Sequence, residues 1–303
     1  MPTYVHYLIS IAIWSTTWYA ITLQLGVVNP LVSVAYRFLL ASGVLLVWCF
    51  VKGDNLKFKK KDFYVLFIKG VTLYSLSYFA TYTAMNYITS GVNAVVSSTI
   101  IFFNILNGYA FLKEKLELSV VTAGLIGISG IVLMFLPEFQ GTQIDLPTIK
   151  GLGYALLAAF LSSLGNIASA KSQKKGVNVM AANAISMGFG GLFSLFAVVL
   201  MGIPLTFDTS GTYVFSLFYL SLFGSVFAFG SYLSLVGRVG PARAAHPLLL
   251  VPVFALIISA FFEDYAWSIY AVLGIALILG GNVLASFKRK EKLAKIKTGA
   301  ATL

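Results

Sequence analysis

The sequence predicts an all-α integral membrane protein with ten transmembrane helices arranged as two inverted five-helix repeats. Three observations carry that prediction. The 303 residues are 59% hydrophobic and only 10% charged, against roughly 25% charged in a typical soluble domain. Ten stretches approach the roughly 20 apolar residues that a spanning helix needs. The charges that remain fall almost entirely on alternate loops.

The first stretch, 4–25, is too long for a signal-peptide core and lacks a small-residue cleavage site, so it reads as a retained helix. It carries Trp14 and Trp18 on one face. The second, 31–51, holds Arg37 six residues past Leu31, about 9 Å deep at 1.5 Å per residue. The third, 70–88, starts after Lys69 and repeats tyrosine at Tyr74, Tyr78 and Tyr82. The fourth, 90–111, contains Asn93, Asn104 and Asn107 and runs into "FLKEKLE" with Glu114. The fifth, 119–136, is short and glycine-rich. The sixth and seventh, 150–171 and 180–203, carry Asn166 and Asn183. The eighth, 213–236, leads into "GRVGPAR". The ninth, 243–262, opens on His246 and contains Pro247 and Pro252; the tenth, 267–287, precedes a basic tail at 288–303. Segments this long exclude outer-membrane barrel strands, which run to about 9–11 residues. The single cysteine, Cys49, excludes an intrachain disulfide.

The net charge of +11 does not point to nucleic acid. If ten helices alternate, every basic residue except Arg37 and Lys150 falls on one side, Lys69 included at the start of the third helix. That is the positive-inside pattern, so both termini are expected in the cytoplasm of an inner membrane. The basic tail also suits contact with anionic lipid.

Residues 78–134 and 228–284 superimpose at a shift of 150: Ala94 on Ala244, Phe111 on Phe261, Gly124 on Gly274, Gly130 on Gly280, Glu114 on Asp264. The front portions align at about 148. This gives a first repeat at 1–137 and a second at 150–287. An odd number of helices per copy inverts the second, and the charges agree. "FLKEKLE" carries lysines, whereas its counterpart "FFEDYAW" carries none. Antiparallel repeats of this kind place substrate near the midplane in many secondary transporters.

"WSTTWYAI", "YRFLLA", "AFLKEKLE" and "GLIGISGIVLM" in the first copy, and "PLLLVPVFALIISAFFEDYAW" with "LGIALILGGNVL" in the second, resemble the EamA family of the drug/metabolite transporter superfamily. The resemblance spans essentially the whole chain. It implies two inverted bundles, with helices 1–4 and 6–9 around a central cavity and helices 5 and 10 as scaffold. It also implies an arginine at position 37, and export. One departure is Asp264, where the family pattern has Glu; its carboxylate is one methylene shorter than that of Glu114. Both acids, with Pro247 and Pro252, are assigned to gating or structure, the prolines because they free carbonyls that only protein or a cavity can satisfy.

Two readings stand for Arg37. It snorkels to headgroups or helix-end carbonyls, or it faces the cavity and meets a carboxylate or phosphate. An intramembrane arginine costs about 2.5–3.5 kcal/mol on insertion scales, which makes the second reading the functional hypothesis. Trp14, Trp18, Tyr78 and Tyr82 form either packing stripes or the aromatic wall of a small-molecule pocket, with serines and threonines interleaved. Asn104 and Asn166 are the amides expected deepest in the bundle and the amide candidates for substrate binding in the cavity, against helix–helix hydrogen bonding as the plainer reading. His246 reads as a capped helix start or a proton-linked group at the inner gate.

All ten Asp and Glu residues fall in loops or at helix ends. A proton-coupled exporter of lipophilic cations would be expected to hold one at mid-membrane. The sequence contains no P-loop, no His/Cys metal cluster and no nucleophile triad, so neither an enzyme nor a cofactor is expected. The expected function is secondary transport of a small polar metabolite, an amino acid or related carboxylate, by alternating access. The partners are the substrate, the bilayer and, as an open coupling ion, protons. The alternatives are an exporter of aromatic or cationic drugs, and a non-transporting membrane protein such as a lipid-modifying enzyme or assembly partner.

Overall fold

The computed structural model describes residues 2–113, 118–134, 136, 146–173, 175–232, 246–265, 267–281 and 283–284. Among these the secondary structure is entirely helical. The helices are α1 (Thr3–Thr22), α2 (Pro30–Lys52), α3 (Lys60–Ala84), α4 (Ser90–Leu112), α5 (Leu118–Met134), α6 (Leu146–Gln173), α7 (Val179–Leu200), α8 (Gly211–Tyr232), α9 (His246–Phe262) and α10 (Ile269–Gly281). Six of them, α2, α3, α4, α6, α7 and α8, are long and apolar enough to cross a membrane. Apolar portions of α5, α9 and α10 are shorter. α1 has 20 residues with serine, threonine, tyrosine and tryptophan throughout. Large apolar side chains lie fully outward along the bundle, among them Phe50, Phe215 and Phe261. Such a surface is foreign to a soluble monomer and suits lipid.

Local chemistry sets the helix ends. Asn29 caps α2 by accepting from Leu31 N at 2.9 Å, with Pro30 at the first helical position. Gly53, at φ +70°, closes the same helix by donating to Cys49 O and Phe50 O. Asn178 caps α7 by accepting from Met180 N and Ala181 N. Ser210 caps α8.

Two spans are not regular. Thr72–Leu76 in α3 and Leu220–Phe227 in α8 wind as π-helix. Such turns leave a carbonyl displaced from its usual partner and occur frequently at functional sites.

The centre of the bundle is the contact of α2 with α7. Ser42 Oγ donates to Ala184 O at 2.7 Å. A β-carbon on Gly191 would lie 2.7 Å from Leu39 Cγ, so the glycine permits the close approach. Around it a core of Phe38, Leu45, Tyr74, Tyr82, Met187 and Leu220 draws from α2, α3, α7 and α8, with Trp18 of α1 packed on it. α5 and α10 cross at Gly130 and Gly274, where a β-carbon on either would stand 2.6 Å from the other's carbonyl oxygen. Gly280, the position equivalent to Gly130 in the second copy, has nothing within 4 Å of a β-carbon.

The two ends of the bundle differ. At the lysine-rich end Lys175 Nζ pairs with Asp62 Oδ1 at 2.8 Å, and Asn178 Nδ2 donates to Asp54 Oδ1 at 3.2 Å. At the opposite end Tyr36 OH donates to Thr206 O at 3.2 Å. There Ser90 N also donates to both oxygens of Glu263, at 3.0 and 3.2 Å.

Candidate functional site

Arg37 is 1% exposed, in the interior of α2. It does not reach a surface, so snorkelling is ruled out. Its guanidinium carbon sits 4.6 Å from the centroid of the Tyr78 ring and 5.2 Å from that of Phe38. Arginine over an aromatic face gains about 0.5–2 kcal/mol, more when desolvated. Its Nε donates to Ser225 Oγ at 3.4 Å, a long bond. Its Nη1 is buried without a hydrogen-bond partner. The one ion pair among the described residues is Lys175–Asp62, so Arg37 has no carboxylate to neutralise it there. A buried charge is normally paired, because leaving it alone costs several kcal/mol.

The π-turn of α8 builds the wall opposite. Ser225 Oγ, which receives Arg37, donates in turn to Leu220 O at 3.1 Å, five residues back. Gly224 O accepts from Trp14 Nε1 at 3.3 Å. A β-carbon on Gly224 would lie 2.9 Å from Thr17 Cγ2 and 3.3 Å from Arg37 Nη2, so only glycine lets α1, α2 and α8 converge here. Trp14 also packs against Phe229 and Tyr232, with centroids 5.5 and 5.4 Å away. Tyr82, fully buried, donates to Gln24 Oε1 at 2.6 Å.

The structure therefore brings Arg37, Trp14, Tyr78 and Tyr82 into one cluster, with Tyr82 beside the Arg37 guanidinium and Trp18 in the adjoining core. Asn104 and Asn166 are not part of it. Asn166 Nδ2 donates to Asn104 Oδ1 at 3.3 Å, tying α6 to α4. They are also not the deepest amides: both are half-buried, whereas Asn93 and Asn183 are almost fully enclosed. Pro252 is buried inside α9. His246 begins α9 and Pro247 follows, and their side chains lie outside the described residues, as does Glu114. The carboxylate that caps a helix is Glu263, not its neighbour Asp264. Asp264 is exposed and takes a left-handed φ of +53°, which turns the chain so that Glu263 faces the start of α4.

Two ionisable groups inside helices escaped the sequence reading. His6 lies buried in α1. Lys69, expected at the edge of its span, sits nine residues inside α3 and is 2% exposed. Its Nζ donates to Asn183 Oδ1 of α7, an oxygen that also accepts from Tyr74 OH at 3.1 Å. The signal was present: "FYVLFI" at 63–68 is apolar ahead of the lysine, so the span continues through it.

Comparison with known proteins agrees with this architecture. The sequence model of the EamA-like transporter family matches residues 1–136 and 149–287. An "uncharacterized transporter" of Clostridium kluyveri is 25% identical, covering 90% of this chain and 89% of its own. The uncharacterized transporter YoaV of Bacillus subtilis is 25% identical over 91% of this chain and 93% of its own. The uncharacterized inner membrane transporter YedA of Escherichia coli K12 is 26% identical over 82% and 78%. A crystal structure of another protein superposes with a TM-score of 0.66 over 95% of this chain and 98% of that one, at 18% identity, a likeness of fold. The chain belongs to the EamA-like transporter family, and it is a multi-pass membrane transporter.

Proposed function

We propose that this member of the EamA-like transporter family moves a small carboxylate, an amino acid or a related acid, by alternating access, with net export across an inner membrane. In this reading ten spans form two inverted repeats, 1–137 and 150–287, and the lysine-rich end and both termini are cytoplasmic. The matched intervals support the repeats. So do the π-turns, which start at Thr72 and Leu220, 148 positions apart.

The observation that carries the substrate class is the state of Arg37. It is buried, has no acid beside it among the described residues, and keeps one nitrogen without a partner. A carboxylate would satisfy two guanidinium N–H groups at once and supply the missing charge. Trp14, Phe38 and Tyr78 would pack the rest of a small molecule. A cationic drug is disfavoured, because it would enter beside a buried positive charge.

The test is a thermal-shift screen of the purified protein against amino acids, other carboxylates, nucleotide sugars and cationic dyes, repeated with Arg37→Ala. A ligand at 100 times its Kd stabilises the folded state by about 2.7 kcal/mol. A carboxylate shift that vanishes in Arg37→Ala is the expected result. A cationic or neutral ligand that stabilises both proteins equally would move Arg37 out of the site.

A further inference from the structure

We propose that Lys69, with Asn183, Tyr74 and Ser186, forms a second oxyanion-binding position on the same translocation path, nearer the lysine-rich end than Arg37. The inference rests on the carboxylate-transport reading and extends it from one station to two.

Lys69 and Arg37 share the same predicament. An ammonium has three N–H donors, and Asn183 Oδ1 is the acceptor seen for Lys69 Nζ. That oxygen is already shared with Tyr74 OH. No carboxylate pairs with Lys69 among the described residues. One turn beyond Asn183 on α7, Ser186 is fully buried and its Oγ has no hydrogen-bond partner. Ser186 is also close: its carbonyl oxygen would lie 2.5 Å from a β-carbon on Gly70, the residue after Lys69. A buried hydroxyl without a partner thus lies on the helix packed against the residue after Lys69, whose ammonium has donors beyond the one that Asn183 accepts. An oxyanion is the chemistry that satisfies both deficits, by accepting from Nζ and Oγ and by neutralising the charge.

The placement of the two cations fits a path. Arg37 is seven residues from the Pro30 end of α2, and Lys69 nine from the Lys60 end of α3. At 1.5 Å per residue these are about 10 Å and about 14 Å in from opposite ends. Between them stands Phe38, whose ring centroid is 4.7 Å from that of Tyr78, under Arg37, and 5.2 Å from that of Tyr74, beside Lys69. Arg37 joins α2 to α8, and Lys69 joins α3 to α7. If α2 and α3 are the counterparts of α7 and α8, these are the two symmetry-related interfaces between the halves. The first half then supplies both cations and the second half their polar partners, Ser225 and Asn183, and Phe38 separates the two stations.

The experiment measures half-saturating concentrations of benzoate, succinate and inorganic phosphate by thermal shift on the full-length protein. The variants are Arg37→Ala, Lys69→Met and Lys69→Arg. For a probe that stabilises the wild type, Lys69→Met is expected to raise the half-saturating concentration tenfold or more. Lys69→Arg, which keeps a cation, should stay within about threefold. The uncharged analogues benzamide and succinamide should not distinguish Lys69→Met from wild type. Phosphate as the preferred probe would assign the position to phosphorylated substrates, and benzoate or succinate to carboxylates; both support it. Unchanged affinity in Lys69→Met together with loss in Arg37→Ala would overturn the second station and leave the first standing. If none of the three anions stabilises the wild type, both fall.

Discussion

Arg37 and Ser225 are 188 positions apart in the sequence and meet at 3.4 Å in the fold. The contact exists because α8 winds as π-helix through Leu220–Phe227 and carries Gly224 where a larger residue would intrude. The carbonyl that accepts from Ser225 belongs to the same turn. The proposed anion site is therefore shaped by backbone irregularity as much as by side chains.

Gly224→Ala tests that dependence. The added methyl would stand 2.9 Å from Thr17 Cγ2 and 3.3 Å from Arg37 Nη2. Overpacking of this kind costs about 1–3 kcal/mol. We expect a lower Tm and carboxylate affinity reduced about tenfold. Adding Thr17→Ser removes the opposing methyl and keeps the hydroxyl that donates to Trp14 O at 2.8 Å. It should recover most of both losses. A double variant as weak as Gly224→Ala would show that the turn itself, not the contact, had been damaged.

Trp14 supplies both a ring and an N–H. Trp14→Phe keeps a ring against Phe229 and Tyr232 but loses the bond to Gly224 O. A neutral hydrogen bond is worth about 0.5–1.5 kcal/mol, so we expect a modest fall in Tm and ligand affinity reduced a few-fold. Trp14→Ala also removes the wall and should weaken binding more strongly. Equal ligand-induced shifts in wild type, Trp14→Phe and Trp14→Ala would confine Trp14 to packing.

The spans were legible because apolar length is a local property that composition exposes. Arg37 was legible as a problem for the same reason. Its solution was not, because Ser225 and Gly224 come from a distant helix whose π-turn leaves no plain mark in "LSLFGSVF". Lys69 was misplaced because a hydropathy window stops at a charge, whereas α3 begins at Lys60 and carries the lysine inward against Asn183. Glu263 was missed because aligning the two copies paired Glu114 with Asp264. Which of two adjacent acids reaches a helix end depends on the backbone turn, and Asp264 makes that turn.

Glu263 and Asp264 give opposite expectations. Glu263 accepts from Ser90 N and Ser90 Oγ at the start of α4. Loss of a helix cap costs about 0.5–2 kcal/mol, so Glu263→Ala should lower Tm measurably and Glu263→Gln by less. Asp264→Gly should be neutral or stabilising, since glycine adopts a positive φ without strain. Chemical denaturation of the three variants in detergent separates the roles. A larger loss from Asp264→Gly than from Glu263→Ala would reverse the assignment.

Lys175 and Asp62 close the lysine-rich end. The side chains are 44% and 12% exposed, so the pair is screened and contributes no more than about 1 kcal/mol to stability. Its position matters more than its strength, because it fastens the start of α3 to the segment between α6 and α7. The nearby bond from Asn178 to Asp54 fastens that segment to the chain following α2. In the proposed alternating-access mechanism this end must open, and a state held by two weak links is easily shifted. A conformational bias changes apparent affinity by the population of the competent state. We therefore expect Asp62→Asn combined with Asn178→Ala to change Tm little. In the same double variant, Ser186→Cys should be labelled by a membrane-impermeant thiol reagent several times faster from the lysine-rich side. Cys49 would be replaced by serine as background. Labelling at the wild-type rate would mean that the two links are surface contacts and that opening is governed deeper, where Phe38 lies against Tyr74 and Tyr78.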